Sequence, residues 1–151
     1  MAEEHKSTCK APDPNSAKYK LGQIAAKAYS DVAEAKARGE KIGWISSNFP
    51  VKIPETLGIP VCYPENQAVG IAARGGQRMC EAAEAEGYSG DICAYARVSL
   101  AYARQGSAPE QDMRLPDFVL CCINICNCMI KWYENLSKEL NIPMIFAGYS
   151  V

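Results

Sequence analysis

The chain has 151 residues, with 16 Lys and Arg against 17 Asp and Glu, for a formal charge of −1. That balance excludes a strongly electrostatic binder of nucleic acid or membrane surface. A composition of 48% hydrophobic and 22% charged residues excludes a disordered or fibrous chain and suffices for one domain with a sizeable core. No run approaches the roughly 18 apolar residues of a membrane span. The start, Met1-Ala2-Glu3-Glu4-His5-Lys6, lacks the apolar core of a signal peptide, so the cytoplasm is the expected compartment.

Taken in chain order, residues 1–14 are polar and carry Pro12 and Pro14, which reads as a flexible leader ahead of a domain over 15–151. Asn15 or Ser16 is placed to cap a helix running to about Arg38, with Leu21, Ile24, Ala25, Ala28 and Val32 at helical spacing. Gly39 stops it. Ile42–Ser47 reads as a short buried strand, Pro54–Leu57 as one helical turn and Ile59–Tyr63 as a second strand. A helix is expected over Ala68–Glu86, weakened by Gly75-Gly76, and another over about Gly90–Arg104. Residues 105–116 form a loop. Phe118–Ile123 is a nearly continuous apolar run, as in a strand covered on both faces. A helix then starts at Asn124 or Asn127 and ends near Leu140, and Pro143–Ala147 gives a fourth strand.

Strands alternating with helices predict an α/β fold: a three-layer, Rossmann-like parallel sheet of about four strands, with helices on both faces and right-handed crossovers. The sequence stops directly after the fourth strand. That points to an edge strand or to an incomplete polypeptide.

Eight cysteines stand out in such a chain. A reducing compartment argues against a disulfide framework. Cys121, Cys122, Cys126 and Cys128 fall within eight residues, and Cys93 lies upstream. Ligands of open α/β sheets lie beyond the carboxyl ends of the strands. Three groups fall there: Ser46-Ser47-Asn48, Tyr63-Pro64-Glu65-Asn66, and Cys121, Cys122, Asn124 and Cys126. Cys126 opens a helix and Cys93 lies near a helix start, a setting that favours the thiolate form. Such a pair suits a soft metal or an iron–sulfur cluster. No C-x₂-C pair has a matching partner pair, and the one histidine is His5, which argues against zinc.

The plainer readings stand beside these. Cys121 and Cys122 continue an apolar strand and read as core, and Cys9, Cys62, Cys80 and Cys128 as structural or incidental. Glu65 is a solvated loop acid, a helix N-terminal charge, or a carboxyl in a partly closed cleft able to move protons. Ser47 is a turn hydroxyl or a substrate contact. Arg74, Arg78 and Arg97 read as helix surface ahead of anion grips, and Trp132 and Tyr133 as helix core.

Longer segments carry a resemblance. Gly43-Trp44-Ile45-Ser46-Ser47-Asn48-Phe49-Pro50, Tyr63-Pro64-Glu65-Asn66-Gln67, Gly87-Tyr88-Ser89, Asp91-Ile92-Cys93-Ala94-Tyr95-Ala96-Arg97 and residues 116–127 with Lys131-Trp132-Tyr133-Glu134-Asn135 resemble the 2-hydroxyacyl-CoA dehydratases, a group that includes the benzoyl-CoA reductases. The resemblance runs from about residue 17 to 147. It implies the N-terminal portion of a substrate-binding subunit that removes water from a 2-hydroxyacyl-CoA to give an enoyl-CoA. It further implies a 4Fe–4S cluster held by three cysteines, two of them Cys93 and Cys126, with the third outside this chain. Ser47 and Glu65 correspond to the family's serine and glutamate beside the substrate. One injected electron turns the thioester carbonyl into a ketyl radical anion, which expels hydroxide and acidifies the β-proton. The implied partners are a related second subunit, forming a heterodimer, and an ATP-driven iron–sulfur activator. A benzoyl-CoA-reductase-like subunit and a non-catalytic α/β fragment are the alternatives. Position 123 is Ile where the family commonly carries Asn.

Overall fold

The computed structural model describes residues 13–124 and 126–148. Cys9, most of the expected leader and the last three residues lie outside it. Helix α1 spans Ala17–Ala37, and the Ser16 hydroxyl caps it by accepting from the Tyr19 N–H at 3.2 Å. It ends where Gly39 takes a φ of 84°, a left-handed conformation open to glycine. Strand β1 (Gly43–Ile45) follows, then α2 (Lys52–Thr56), β2 (Val61–Cys62), α3 (Pro64–Ala72) and α4 (Gln77–Ala85). Helix α5 (Ala94–Gln105), β3 (Phe118–Cys122), α6 (Asn127–Leu140) and β4 (Met144–Ala147) complete the order.

All pairings are parallel, and the sheet order is β2-β1-β3-β4. The expected four strands are therefore present, as shorter segments. The expected helix over Ala68–Glu86 is corrected on two counts. It starts earlier, at Pro64, where proline's fixed φ suits the first turn. It also divides at Gly75-Gly76, with Gly75 at a φ of 91°. A Cβ on Gly76 would lie 2.9 Å from the Ile71 backbone, so the junction packs too closely for any side chain there.

Right-handed crossovers send the connection toward β2 and the returning connection to β3 over opposite faces. The two cores agree with that. The larger joins Ile42, Trp44, Val119 and Cys121 to residues of α1 and α3–α6. The smaller joins Ile45, Leu120 and Cys122 to Phe49, which leads into α2. On that second face Phe118 lies over Gly43, where a Cβ would come within 2.4 Å of the ring. Helix α1 departs from its apolar spacing: Leu21 and Ile24 are about two-thirds exposed, at 66% and 67%, and the packed residues are Val32 and Ala35.

At the amino end of the sheet, Asp117 ties three segments together. It accepts from Lys36 of α1 at 2.6 Å, Lys41 at 3.1 Å and the Ile42 N–H at 3.0 Å. Burial acts to raise its carboxyl, but these donors together hold it down at about 2.

Candidate functional site at the carboxyl rim

Strand β1 is flanked by β2 on one side and β3 on the other. The chain leaves β1 toward β2 and leaves β3 toward β4. Their carboxyl-end loops therefore diverge, opening the crevice at which doubly wound sheets bind ligands. Ser46 and Ser47 follow β1 on one side of that switch point, and Cys126 follows β3 on the other.

The two serines divide in role. Ser46 is fully buried, its N–H donates to the Leu120 carbonyl and its Oγ accepts from the Cys122 N–H at 2.9 Å. It extends the sheet ladder and is committed to it. Ser47 is exposed, and its N–H donates to Glu65 Oε1 at 3.0 Å. Glu65 stands in the first turn of α3 and is only 8% exposed. Its other oxygen, Oε2, accepts from the Tyr133 hydroxyl of α6 at 3.3 Å. Burial pushes the Glu65 carboxyl above its ordinary value, and its own amide, Ser47 and Tyr133 only partly oppose that rise. A carboxyl held closer to neutrality is suited to carrying a proton in either direction. The sequence alternative of a solvated loop acid does not describe it.

Tyr133 has no chemical signal in its sequence position, since helical periodicity groups it with Met129, Trp132 and Leu136 as core, all buried on α6. Tyrosine rather than phenylalanine on a fully buried stripe is the available signal, because its hydroxyl needs a partner.

Cys93 and Cys126 occupy equivalent local positions. Cys93 is the N-cap of α5 and Cys126 the N-cap of α6, both are exposed, and neither side chain makes a capping hydrogen bond. The two helices pack against each other. A cavity of about 330 Å³ at that junction is bordered by Cys93, Ile92, Asn127, Cys128, Lys131 and Trp132. Burial raises the Cys128 thiol, the Cys93 amide lowers it, and the charges of Cys93 and Cys126 add to the rise. The three thiols thus share one electrostatic neighbourhood. Among the described residues no three His, Cys, Asp or Glu side chains gather as a metal-holding group.

Cys121 and Cys122 belong to β3 and are buried. Burial first, then Cys122, Glu65 and Cys126, push the Cys121 thiol up to about 12. Cys62 is likewise pushed up to about 12 by burial. Both are protonated packing groups at neutral pH. The arginines serve the surface: Arg74 and Arg78 hold Glu110, and Arg97 pairs with Glu84. No helix among the described residues is long and apolar enough to cross a membrane.

Known proteins match this arrangement of segments. The family model of 2-hydroxyglutaryl-CoA dehydratase, D-component, matches residues 46–149. The chain is 59% identical to the (R)-phenyllactyl-CoA dehydratase alpha subunit of Clostridium sporogenes, over 85% of this chain and 32% of that protein. It is 47% identical to the (R)-2-hydroxyisocaproyl-CoA dehydratase alpha subunit of Clostridioides difficile, with the same coverage of 85% and 32%. One of the benzoyl-CoA reductase subunits of Thauera aromatica matches at 27% over 86% of the chain and 31% of that protein. The chain thus spans about a third of the length of these curated relatives. With its family match extending from the end of β1 to beyond β4, and with alpha-subunit relatives at 59% and 47% identity, the chain belongs to the 2-hydroxyglutaryl-CoA dehydratase D-component family.

Proposed function

We propose that this α/β unit forms the carboxyl-rim part of the substrate site in an alpha-type subunit of a 2-hydroxyacyl-CoA dehydratase. The observation that carries this reading is Glu65. It is a buried carboxyl with a raised pKa, hydrogen-bonded to Ser47 at the sheet's switch point.

In this reading Glu65 moves the substrate proton. Its burial raises the carboxyl above its ordinary value, which favours the protonated form, and its fixed oxygens set the direction of transfer. The exposed Ser47 hydroxyl orients the substrate's hydroxyl or thioester carbonyl. Asp117 and its lysines lie at the opposite rim, where they tie α1 to the sheet.

The donors present suit a 4Fe–4S cluster in part. Cys93 and Cys126 are exposed, uncapped thiols at the starts of packed helices, and soft thiolates are the donors iron–sulfur clusters take. They fit as two ligands, and a third has to come from beyond the described residues. When bound, the cluster supplies Lewis acidity and a path for the one electron the reaction needs. The second subunit and an ATP-driven iron–sulfur activator are proposed partners on the same reading.

The test is anaerobic co-expression of the protein with the second subunit of a 2-hydroxyacyl-CoA dehydratase and an activator. (R)-Phenyllactyl-CoA is supplied, and enoyl-CoA formation is followed by absorbance and mass. Activator-dependent loss of water supports the proposal. Reduction of benzoyl-CoA instead would assign the reductase branch, and no turnover by a cluster-loaded heterodimer on either thioester would support a non-catalytic α/β unit.

A further inference from the structure

We infer that the buried hydroxyl of Tyr133 is a positioning group for Glu65, fixing the carboxyl oxygen that Ser47 leaves free. The inference rests on the reading of Glu65 as the proton carrier and adds a residue that acts through it.

The geometry is specific. Tyr133 is fully buried in α6, yet its hydroxyl reaches across to Glu65 Oε2 at 3.3 Å, in a separate helix 68 residues earlier. Glu65 Oε1 is engaged by the Ser47 N–H at 3.0 Å. Donors on opposite oxygens, Ser47 N–H on Oε1 and the Tyr133 hydroxyl on Oε2, hold the terminal carboxyl bond against rotation. A phenylalanine would fill the same core space, so packing alone does not call for the hydroxyl.

The neighbouring groups do not substitute for it. Ser47 engages the other oxygen from the β1–α2 connection, and Glu65's own amide donates to the same carboxyl. From β3, Cys121 contributes a protonated thiol, pushed up to about 12. Tyr63 precedes α3, and its hydroxyl is raised by burial and by the charges of Glu55 and Glu65. Burial raises the Tyr133 hydroxyl well above its ordinary value, so it stays a donor across the working pH range. Donation from Tyr133 favours the carboxylate form of Glu65, against the burial that opposes it.

The test has two arms. In the 151-residue chain labelled at glutamate ¹³Cδ, with Glu65→Gln assigning the resonance, the Glu65 midpoint is read by NMR titration. Tyr133→Phe is expected to move that midpoint upward. Tyr102→Phe is the control: that buried hydroxyl bonds the Met113 backbone, and its loss is expected to leave Glu65 unmoved. Tyr133→Leu, which also lacks the hydroxyl, is expected to move Glu65 in the same direction despite its different packing. An unchanged midpoint in Tyr133→Phe would overturn the inference and leave the proposed function standing. In the loaded heterodimer, Tyr133→Phe is expected to lower kcat about 10-fold, leave KM within about twofold and shift the acid limb of the profile upward, as loss of a hydrogen bond to a charged group does. A shifted midpoint with unchanged kcat would overturn the positioning role in the reaction. Full activity of Glu65→Gln would instead overturn the reading of Glu65 itself.

Discussion

The Asp117 hub offers a quantitative test of how the sheet is held. One carboxylate accepts from two lysines and a backbone amide, and it joins α1, β1 and β3 at the amino end. The fall of its carboxyl from 3.8 to about 2 corresponds to about 2.4 kcal/mol of linked stability, at about 1.36 kcal/mol per pH unit. Lys41 is 78% exposed, so solvent screening brings the expected value to about 1–2 kcal/mol. The folded-state pKa is depressed, so the contribution is present above the unfolded value and is lost as pH falls through the folded one. It is complete at neutral pH, about half gone near pH 3 and absent below about pH 1. Asp117→Asn keeps the shape and an acceptor for the Ile42 amide but removes the charge from both lysines. Urea unfolding at neutral pH is expected to show it about 1–2 kcal/mol less stable than wild type, with the gap narrowing toward pH 3. High salt should remove the Lys41 part and leave the backbone bond. Equal stability at neutral pH, or a gap that does not shrink with acid, would refute the reasoning.

The carboxyl rim and the central strands give three further expectations. Glu65→Gln preserves shape and removes proton transfer, so turnover of the loaded heterodimer is expected to fall about 100-fold or more, and Ser47→Ala to cost less. Glu65 has a raised folded-state pKa, so its contribution is present below the unfolded value and lost as pH rises through the folded one. The Tm of wild type should therefore fall relative to Glu65→Gln as pH rises from the ordinary carboxyl range through the raised folded-state value, and parallel curves would contradict the buried carboxyl. Cys93→Ser and Cys126→Ser are each expected to abolish the 4Fe–4S absorbance of the intact heterodimer. The 151-residue chain alone should fail to hold a chelator-resistant cluster, and stoichiometric retention would show that two thiols suffice. Gly43→Ala forces a Cβ to within 2.4 Å of Phe118 and should cost about 1–3 kcal/mol in denaturant unfolding. Much of that loss should disappear in a Phe118→Leu background, because the two side chains share one space.

Much of the architecture was legible because local signals agreed with one another. Ser16 caps α1 and Gly39 ends it, the apolar run at Phe118 becomes a buried central strand, and Asn127 opens α6. What escaped depended on tertiary geometry. The Pro64 signal for a helix start was masked by its proximity to β2, so the helix was expected from Ala68 when it begins at Pro64. The Gly75-Gly76 pair read as a weakness in one helix when it is the corner between two. Leu21 and Ile24 share helical spacing with Val32 but extend past the sheet and stay exposed. At the rim, strand-end logic pointed to Ser47, Glu65 and Cys126, and the family resemblance singled out Cys93 beside them. Neither reached Tyr133, because periodicity sorts residues by burial and says nothing of what a buried hydroxyl touches.

Glu65 and the two thiols are placed by separate structural routes, and this separation has consequences. Glu65 is placed by β2 and the start of α3, one strand away from β1, and is held by Ser47 from the end of β1. Cys126 is placed by the end of β3, on the far side of the switch point. Cys93 follows no strand at all; it comes to this region because α5 packs on α6, whose own first residue follows Cys126. The Glu65–Ser47 bond is therefore fixed by the β1–β2 pair, while the placement of the two thiols depends on helix packing through residues such as Leu100 and Trp132. Tyr133 joins the two systems, since it is rooted in α6 beside Trp132 and ends on Glu65. A shift of α6 that moved Cys126 would also move the Tyr133 hydroxyl against Glu65, so the helix that follows this thiol is tied to the buried carboxyl.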